Sequence, residues 1–149
     1  MKVQVNEIKI TYQGGLRAKE WKKITGSQVA AELIYNHWDK GTIGLQECFK
    51  IVLLNNGNRV KGIYQVSQGG ITGTLVDLRI LFAVALKSLS VAMILAHNHP
   101  SGTLRPSDGD NGLTKKIKGA AELLDIKLLD HLIIAPDGNF YSFSDNGIL

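Results

Sequence analysis

At 149 residues, 44% hydrophobic and 20% charged, with three prolines, the chain has ordinary globular composition and enough length for one core of normal size. No apolar run approaches the roughly eighteen residues that a bilayer span requires, and Met1 to Ile10 alternates polar and apolar residues where a leader would set a basic segment before an apolar one; the expectation is a cytoplasmic protein without a membrane segment. The net charge of +4 and pI near 9.2 come from scattered basic residues, densest at Lys19 to Lys23 and at Lys115, Lys116 and Lys118. These read as solvated helix faces, since no nucleic-acid motif accompanies them.

Residues 1 to 12, with Val3, Val5, Ile8 and Ile10 between polar neighbours, predict an edge strand or arm that leads through Gly14-Gly15 into a basic connector. Ser27 then reads as a helix N-cap, with Val29, Ala30, Leu33, Ile34 and Trp38 at helical spacing and an end by Gly41. His37 sits near the C-terminal end of that helix, where backbone carbonyls favour an imidazole, and it is not expected to act in catalysis. Cys48 to Leu54 and Val60 to Val66, joined by Asn55-Asn56-Gly57-Asn58, predict a hairpin whose turn residues supply the positive φ angles it needs.

Beyond Gly69-Gly70 and a short Ile71 to Leu75 segment, a helix is expected over Val76 to Ser88, with Asp77 as cap or first-turn residue. Val91 to Ala96 is a continuous apolar run too short for a typical helix, which fits a central strand buried on both faces and delivers His97 to the strand end. Ser107 opens a further helix to about Leu124, Ile126 to Ala135 reads as a strand, and a turn at Pro136-Asp137-Gly138-Asn139 leads into Phe140 to Phe143. The order βαββ(β)αβαββ predicts an α/β fold with a mixed sheet flanked by helices. One globular domain is expected overall, with residues 1–40 forming an N-terminal arm and helix on the core and residues 41–149 carrying the functional motifs.

The chemistry concentrates between His97 and Asp110. Two histidines at i and i+2 in extended backbone project to the same side and can reach one ion, and Pro100 then turns the chain away. Seven residues separate His99 from Ser107, whose helix carries Asp110 in its first turn. Ser107-x-x-Asp110 has the form of a capping box, yet capping and metal ligation need not exclude each other. Cys48, the only cysteine, allows no intramolecular disulfide and no thiolate cage, so a metal would rest on histidines and carboxylates. His97, His99 and Asp110 with a water would complete the open four-coordinate arrangement of catalytic Zn2+.

His97-x-His99, seven residues, Ser107-x-x-Asp110 matches the JAMM motif without a gap, and the chain resembles that MPN-type (JAB) metalloprotease superfamily. Ile94 to Gly102, Leu129 to Ile134, Asn58-Arg59 and Val76 to Arg79 resemble its RadC branch more narrowly, with Leu78 where that branch usually has proline. The resemblance covers roughly residues 45 to 149 and implies a three-layer architecture like that of cytidine deaminases. The first forty residues carry no paired Gly-rich hairpin, so the helix-hairpin-helix region of longer RadC-like proteins is not expected.

The superfamily also implies a glutamate on an early strand that takes the proton of the attacking water. Glu47, just before the run Cys48 to Leu54, matches that position, and Ser107 would donate a hydrogen bond to the developing oxyanion. His131, beside Asp130 on a strand that must send the two side chains to opposite faces, reads as a core histidine that can orient a ligand in preference to being a fourth one. Cys48 reads as a small buried residue.

The expected activity is metal-assisted hydrolysis of a peptide or isopeptide bond in a peptide or protein substrate. Phosphodiester hydrolysis on the same metal is a weaker alternative because one metal site is visible where many nucleases use two ions. A zinc deaminase is excluded by Asn98, where His-x-Glu is needed, and by the absence of Pro-Cys-x-x-Cys. A non-enzymatic interaction module tied to DNA repair or mobile elements, as the RadC resemblance implies, would be marked by a lost ligand, and none is lost.

Overall fold

The computed structural model describes residues 2–9, 11–69 and 74–149. Its elements are α1 (Ser27–His37), β1 (Cys48–Leu54), β2 (Val60–Gln68), α2 (Leu78–Lys87), β3 (Ala92–Asn98), α3 (Asp108–Leu123), β4 (Lys127–Ile134) and β5 (Phe140–Ser142), preceded by a single 3₁₀ turn at Ala18–Glu20. The strands form one mixed sheet in the order β2-β1-β3-β4-β5, antiparallel except for the parallel β3–β4 pair that α3 connects.

The continuous apolar runs become the sheet centre because β1 and β3 are covered on both faces. On one face Cys48, Val52, Leu54, Ala92, Ile94, Ala96, Leu132 and Ile134 pack under Ala30, Ala31, Ile34 and Trp38. On the other, Phe49, Ile51, Leu53, Met93 and Leu95 meet Leu81, Phe82 and Ala85 of α2 and Ile117 and Ala121 of α3. The result is the helix–sheet–helix sandwich expected of an α/β chain. Among the described residues no helix is long and apolar enough to cross a membrane.

One pair of alternatives is resolved and two local expectations are corrected. Of the edge strand or arm expected for the first twelve residues, the described ones take the arm: Val3, Val5 and Ile8 stand exposed, and no described strand pairs with them. The α1 N-cap is Gly26, not Ser27; Ser27 is the first helical residue, and its hydroxyl donates to Asp145 Oδ2 at 2.5 Å, a tertiary bond that outweighs the local capping preference. Lys19 to Lys23 lie on the 3₁₀ turn and the connector that follows, not on a regular helix face. The segment expected at Ile71 to Leu75 falls mostly outside the described residues, and Thr74 and Leu75 are in no strand.

Elsewhere the local signals hold. Asn58 takes φ of 58° in the β1–β2 turn, and Asn55 Oδ1 accepts the amides of Gly57 and Arg59. Asp77 caps α2 by accepting the Arg79 amide at 2.9 Å. His37 is the exposed last residue of α1, on the opposite side of the sheet from α2 and α3, and Cys48 is buried beneath α1.

Candidate metal centre

The site forms where the end of β3 meets the start of β1 and the first turn of α3. Antiparallel pairing sets Phe49 opposite His97, so the residue two before Phe49 stands beside the residue two after His97: Glu47 beside His99. The His99 amide still donates to Ile134 O at 3.0 Å, which keeps both histidines in strand geometry and their imidazoles on one face. Pro100 and a turn closed by Gly102 N–H to His99 O, with Gly102 at φ of 83°, then carry the chain away from the sheet. This is the carboxyl end of a central strand, the usual place for a site in an open α/β sheet.

Asp110 closes a capping box and also faces both histidines. Ser107 Oγ accepts the Asp110 amide at 3.1 Å and Asp110 Oδ2 accepts the Ser107 amide at 2.8 Å, a reciprocal capping box. The same carboxylate lies 3.3 Å from His97 Nε2 through Oδ1 and 3.3 Å from His99 Nε2 through Oδ2. One ligand atom from each of Glu47, His97, His99 and Asp110 lies within 4.8 Å of the others, close enough to share a metal ion.

The electrostatics follow from the crowding. Burial works against the Asp110 carboxylate, but hydrogen bonds from His97 and His99, the charge of His97 and the Ser107 amide outweigh it and hold its pKa far below the usual range. The hydrogen bond to Asp110 raises the pKa of His99 against the opposing effect of burial, with the Thr103 carbonyl adding to it. Burial raises the pKa of Glu47, an effect the nearby His97 and His99 reduce and Asp110 reinforces. Glu47 Oε1 stands 4.0 Å from His97 Nε2.

Glu47 also lines, with His99, Ser101, Thr103, Arg105 and Ser107, a cleft of about 520 Å3 beside the cluster. Ser107 Oγ is an acceptor inside its cap, which leaves its proton free for a group in that cleft. The structure thus brings together the four motif residues and Glu47.

Asn98 carried no local signal for its place here, and His131 takes the buried, histidine-facing position expected of it. Asn98, considered in the sequence only as the residue that rules out a deaminase, is fully buried; its Oδ1 accepts the Cys48 amide at 2.7 Å and its Nδ2 donates to Gln46 O at 2.9 Å and Ile43 O at 2.8 Å. Those bonds grip the peptides on either side of Glu47. His131 is buried completely, and that desolvation holds its pKa well below the ordinary value and keeps it neutral. Its Nε2 lies 2.8 Å from His97 Nδ1, its Nδ1 2.6 Å from Thr114 Oγ1, and its ring stacks on Phe143 at 4.6 Å between centroids. Thr114 follows Asp110 by one helical turn, so its shared face was legible, but its partner was not.

Sheet, helices and a strand-end His-x-His with two carboxylates define an α/β domain with a candidate metal centre of the JAB kind. The chain belongs to the RadC-like JAB domain family, whose model matches residues 24–148 and so takes in α1 as well as the motifs. It is 47% identical over 129 residues to a UPF0758 protein of Flavobacterium johnsoniae, covering 85% of this chain and 54% of the relative. To a UPF0758 protein of Porphyromonas gingivalis it is 45% identical over 104 residues, 70% of this chain and 46% of that one, and to one of Pelobacter propionicus 40% over 104 residues, 70% and 45%. The chain therefore spans about half the length of the curated relatives it matches.

Proposed function

We propose that the protein is a zinc-dependent hydrolase that cleaves a peptide or isopeptide bond. The convergence of two imidazole nitrogens, one strongly acidic carboxylate and a second carboxylate of raised pKa on one point carries this reading. The donor set fits zinc: nitrogen and oxygen ligands, no thiolate, and three protein groups that leave a position open. His97, His99 and Asp110 would hold the ion, and the JAB family membership supports that division of roles. Bound there, zinc would supply Lewis acidity, polarising the scissile carbonyl and making water nucleophilic near neutral pH.

The remaining steps belong to the chain. Glu47, poised by partial burial to hold a proton, takes one from the attacking water and passes it to the departing amine. Ser107 donates its hydroxyl to the oxygen on which charge develops, a contribution of the oxyanion-hole type. The substrate enters the cleft along Ser101 to Ser107. Incubating the zinc-loaded protein with peptide and isopeptide libraries, in parallel with single- and double-stranded DNA, is expected to give chelator-sensitive cleavage of an amide. Cleavage of the nucleic acid with no amide product would reassign the chemistry to phosphodiesters, and zinc-loaded protein inert toward both would overturn the reading.

Zinc uptake is expected to depend on pH in a stated direction. The raised His99 pKa means that its protonated, Asp110-bonded form stabilises the metal-free fold below about pH 6.5, and this contribution is lost as pH rises through the folded value. Asp110, with a depressed pKa, remains ionised throughout and loses its contribution only in strong acid. Zinc needs both imidazoles unprotonated, so affinity should rise from pH 5.5 to 8, with proton release on binding in the lower part of that range. Calorimetry in buffers of different ionisation enthalpy measures the protons; none released near pH 6 would contradict the His99–Asp110 pairing.

A further inference from the structure

We infer that Thr114 and His131 are positioning residues that set which nitrogen of His97 carries its proton, so that a lone pair faces the metal centre; the inference rests on the proposed zinc site. A carbonyl oxygen cannot donate, and the Thr114 hydroxyl donates its single proton to Asp110 O at 2.7 Å. Thr114 Oγ1 therefore meets His131 Nδ1, 2.6 Å away, as an acceptor, and His131 carries its proton on Nδ1. The unprotonated His131 Nε2 then accepts from His97 Nδ1 at 2.8 Å, so Nε2, beside His99 Nε2 and Asp110, is the His97 nitrogen whose lone pair is available to a cation. The opposite order of the chain, with Thr114 donating to His131, would place a proton on His97 Nε2, where it would oppose a cation.

Burial makes this order matter. Thr114, His131 and His97 are all buried, so water does not substitute for a missing partner, and the rings are fixed by stacking of Phe49 on His97 and Phe143 on His131. His99 needs no such relay, because its Nδ1 meets the Thr103 carbonyl at 2.7 Å and must donate to it. The chain also begins at the backbone of Asp110, so the ligand from α3 and the ligand from β3 are tied through two residues that touch no substrate. Partners of this kind typically change metal affinity by about 10- to 100-fold.

The test uses the full chain and zinc itself, in competition with a chromophoric chelator. Thr114→Val keeps the branched shape and removes the acceptor, and is expected to weaken zinc binding about 10- to 100-fold, while Thr114→Ser keeps the hydroxyl and should remain within about threefold of the unmodified protein. Nitrogen-15 spectra of histidine-labelled, zinc-loaded unmodified protein give a readout that needs no variant: His131 is expected to be protonated at Nδ1 alone. Equal zinc affinity in Thr114→Val, or a proton on His131 Nε2, overturns this inference and leaves the zinc site standing. If the unmodified protein takes up no zinc, both fall together.

Discussion

Purified protein is expected to bind close to one zinc per chain, and His97→Ala or His99→Ala should abolish nearly all of it. The two imidazoles share one face of a strand end and Asp110 reaches both Nε2 atoms at 3.3 Å, so losing either ring leaves the ion a single imidazole and carboxylates. Asp110→Asn separates the two roles of that residue. Ser107, the N-cap, is untouched and an asparagine Oδ1 at position 110 can still accept the Ser107 amide, so little of the ~0.5 to 2 kcal/mol that a cap contributes should be lost. The anionic ligand is lost entirely. Zinc content by elemental analysis and a thermal melt on the same samples should therefore diverge, with metal lost while the metal-free protein still melts cooperatively, lowered by what the ionised carboxylate contributes beside His97 and His99. Full zinc content in His97→Ala and His99→Ala would refute the site, and full affinity in Asp110→Asn would reduce Asp110 to its cap.

Glu47→Gln should leave zinc bound and lower turnover by ~10² to 10⁴, the range that general acid–base assistance typically supplies. Glutamine keeps the size and hydrogen-bonding capacity of glutamate but accepts no proton at neutral pH. Because Asn98 holds the peptides on both sides of residue 47, the substituted side chain should remain in place, and the loss reports chemistry instead of displacement. Zinc stoichiometry and steady-state rate on one preparation make the measurement, with Glu47→Ala as a control for lost packing. A rate loss below about threefold would assign the proton to another group, and loss of the metal would make Glu47 a ligand.

Much of this molecule was legible in its sequence. Continuous apolar runs at Cys48 to Leu54 and Val91 to Ala96 marked strands buried on two faces, because only a covered sheet tolerates apolar side chains at every position. The turn residues Asn55 to Asn58 and the caps at Asp77 and Ser107 announced themselves through local hydrogen bonding that needs no tertiary partner. The site residues were legible for a related reason: His97 and His99 lie two apart on a strand, and Ser107 and Asp110 lie one turn apart on a helix, so each pair is fixed by the period of its own element.

Tertiary structure alone decided the rest. The alternation of residues 1 to 12 left an edge strand and an arm both open, and the described ones form an arm because no described strand pairs with them. Glu47 reaches His99 because β1 runs antiparallel to β3 in one register, a choice between whole strands that no local signal states. His131 faces His97 because β4 carries a bulge: Met93 pairs with Leu128 but Ile94 with Asp130, so one extra residue enters between them. A strand has a side-chain period of two, and that single insertion exchanges its faces, turning His131 toward α3 and Asp130 toward Ser142. The order of residues names the side chains that can offer ligand atoms and the elements they ride on; the pairing of strands and one bulge set which of those atoms meet, since register is set by the burial of entire faces and not by any residue's neighbours in the chain.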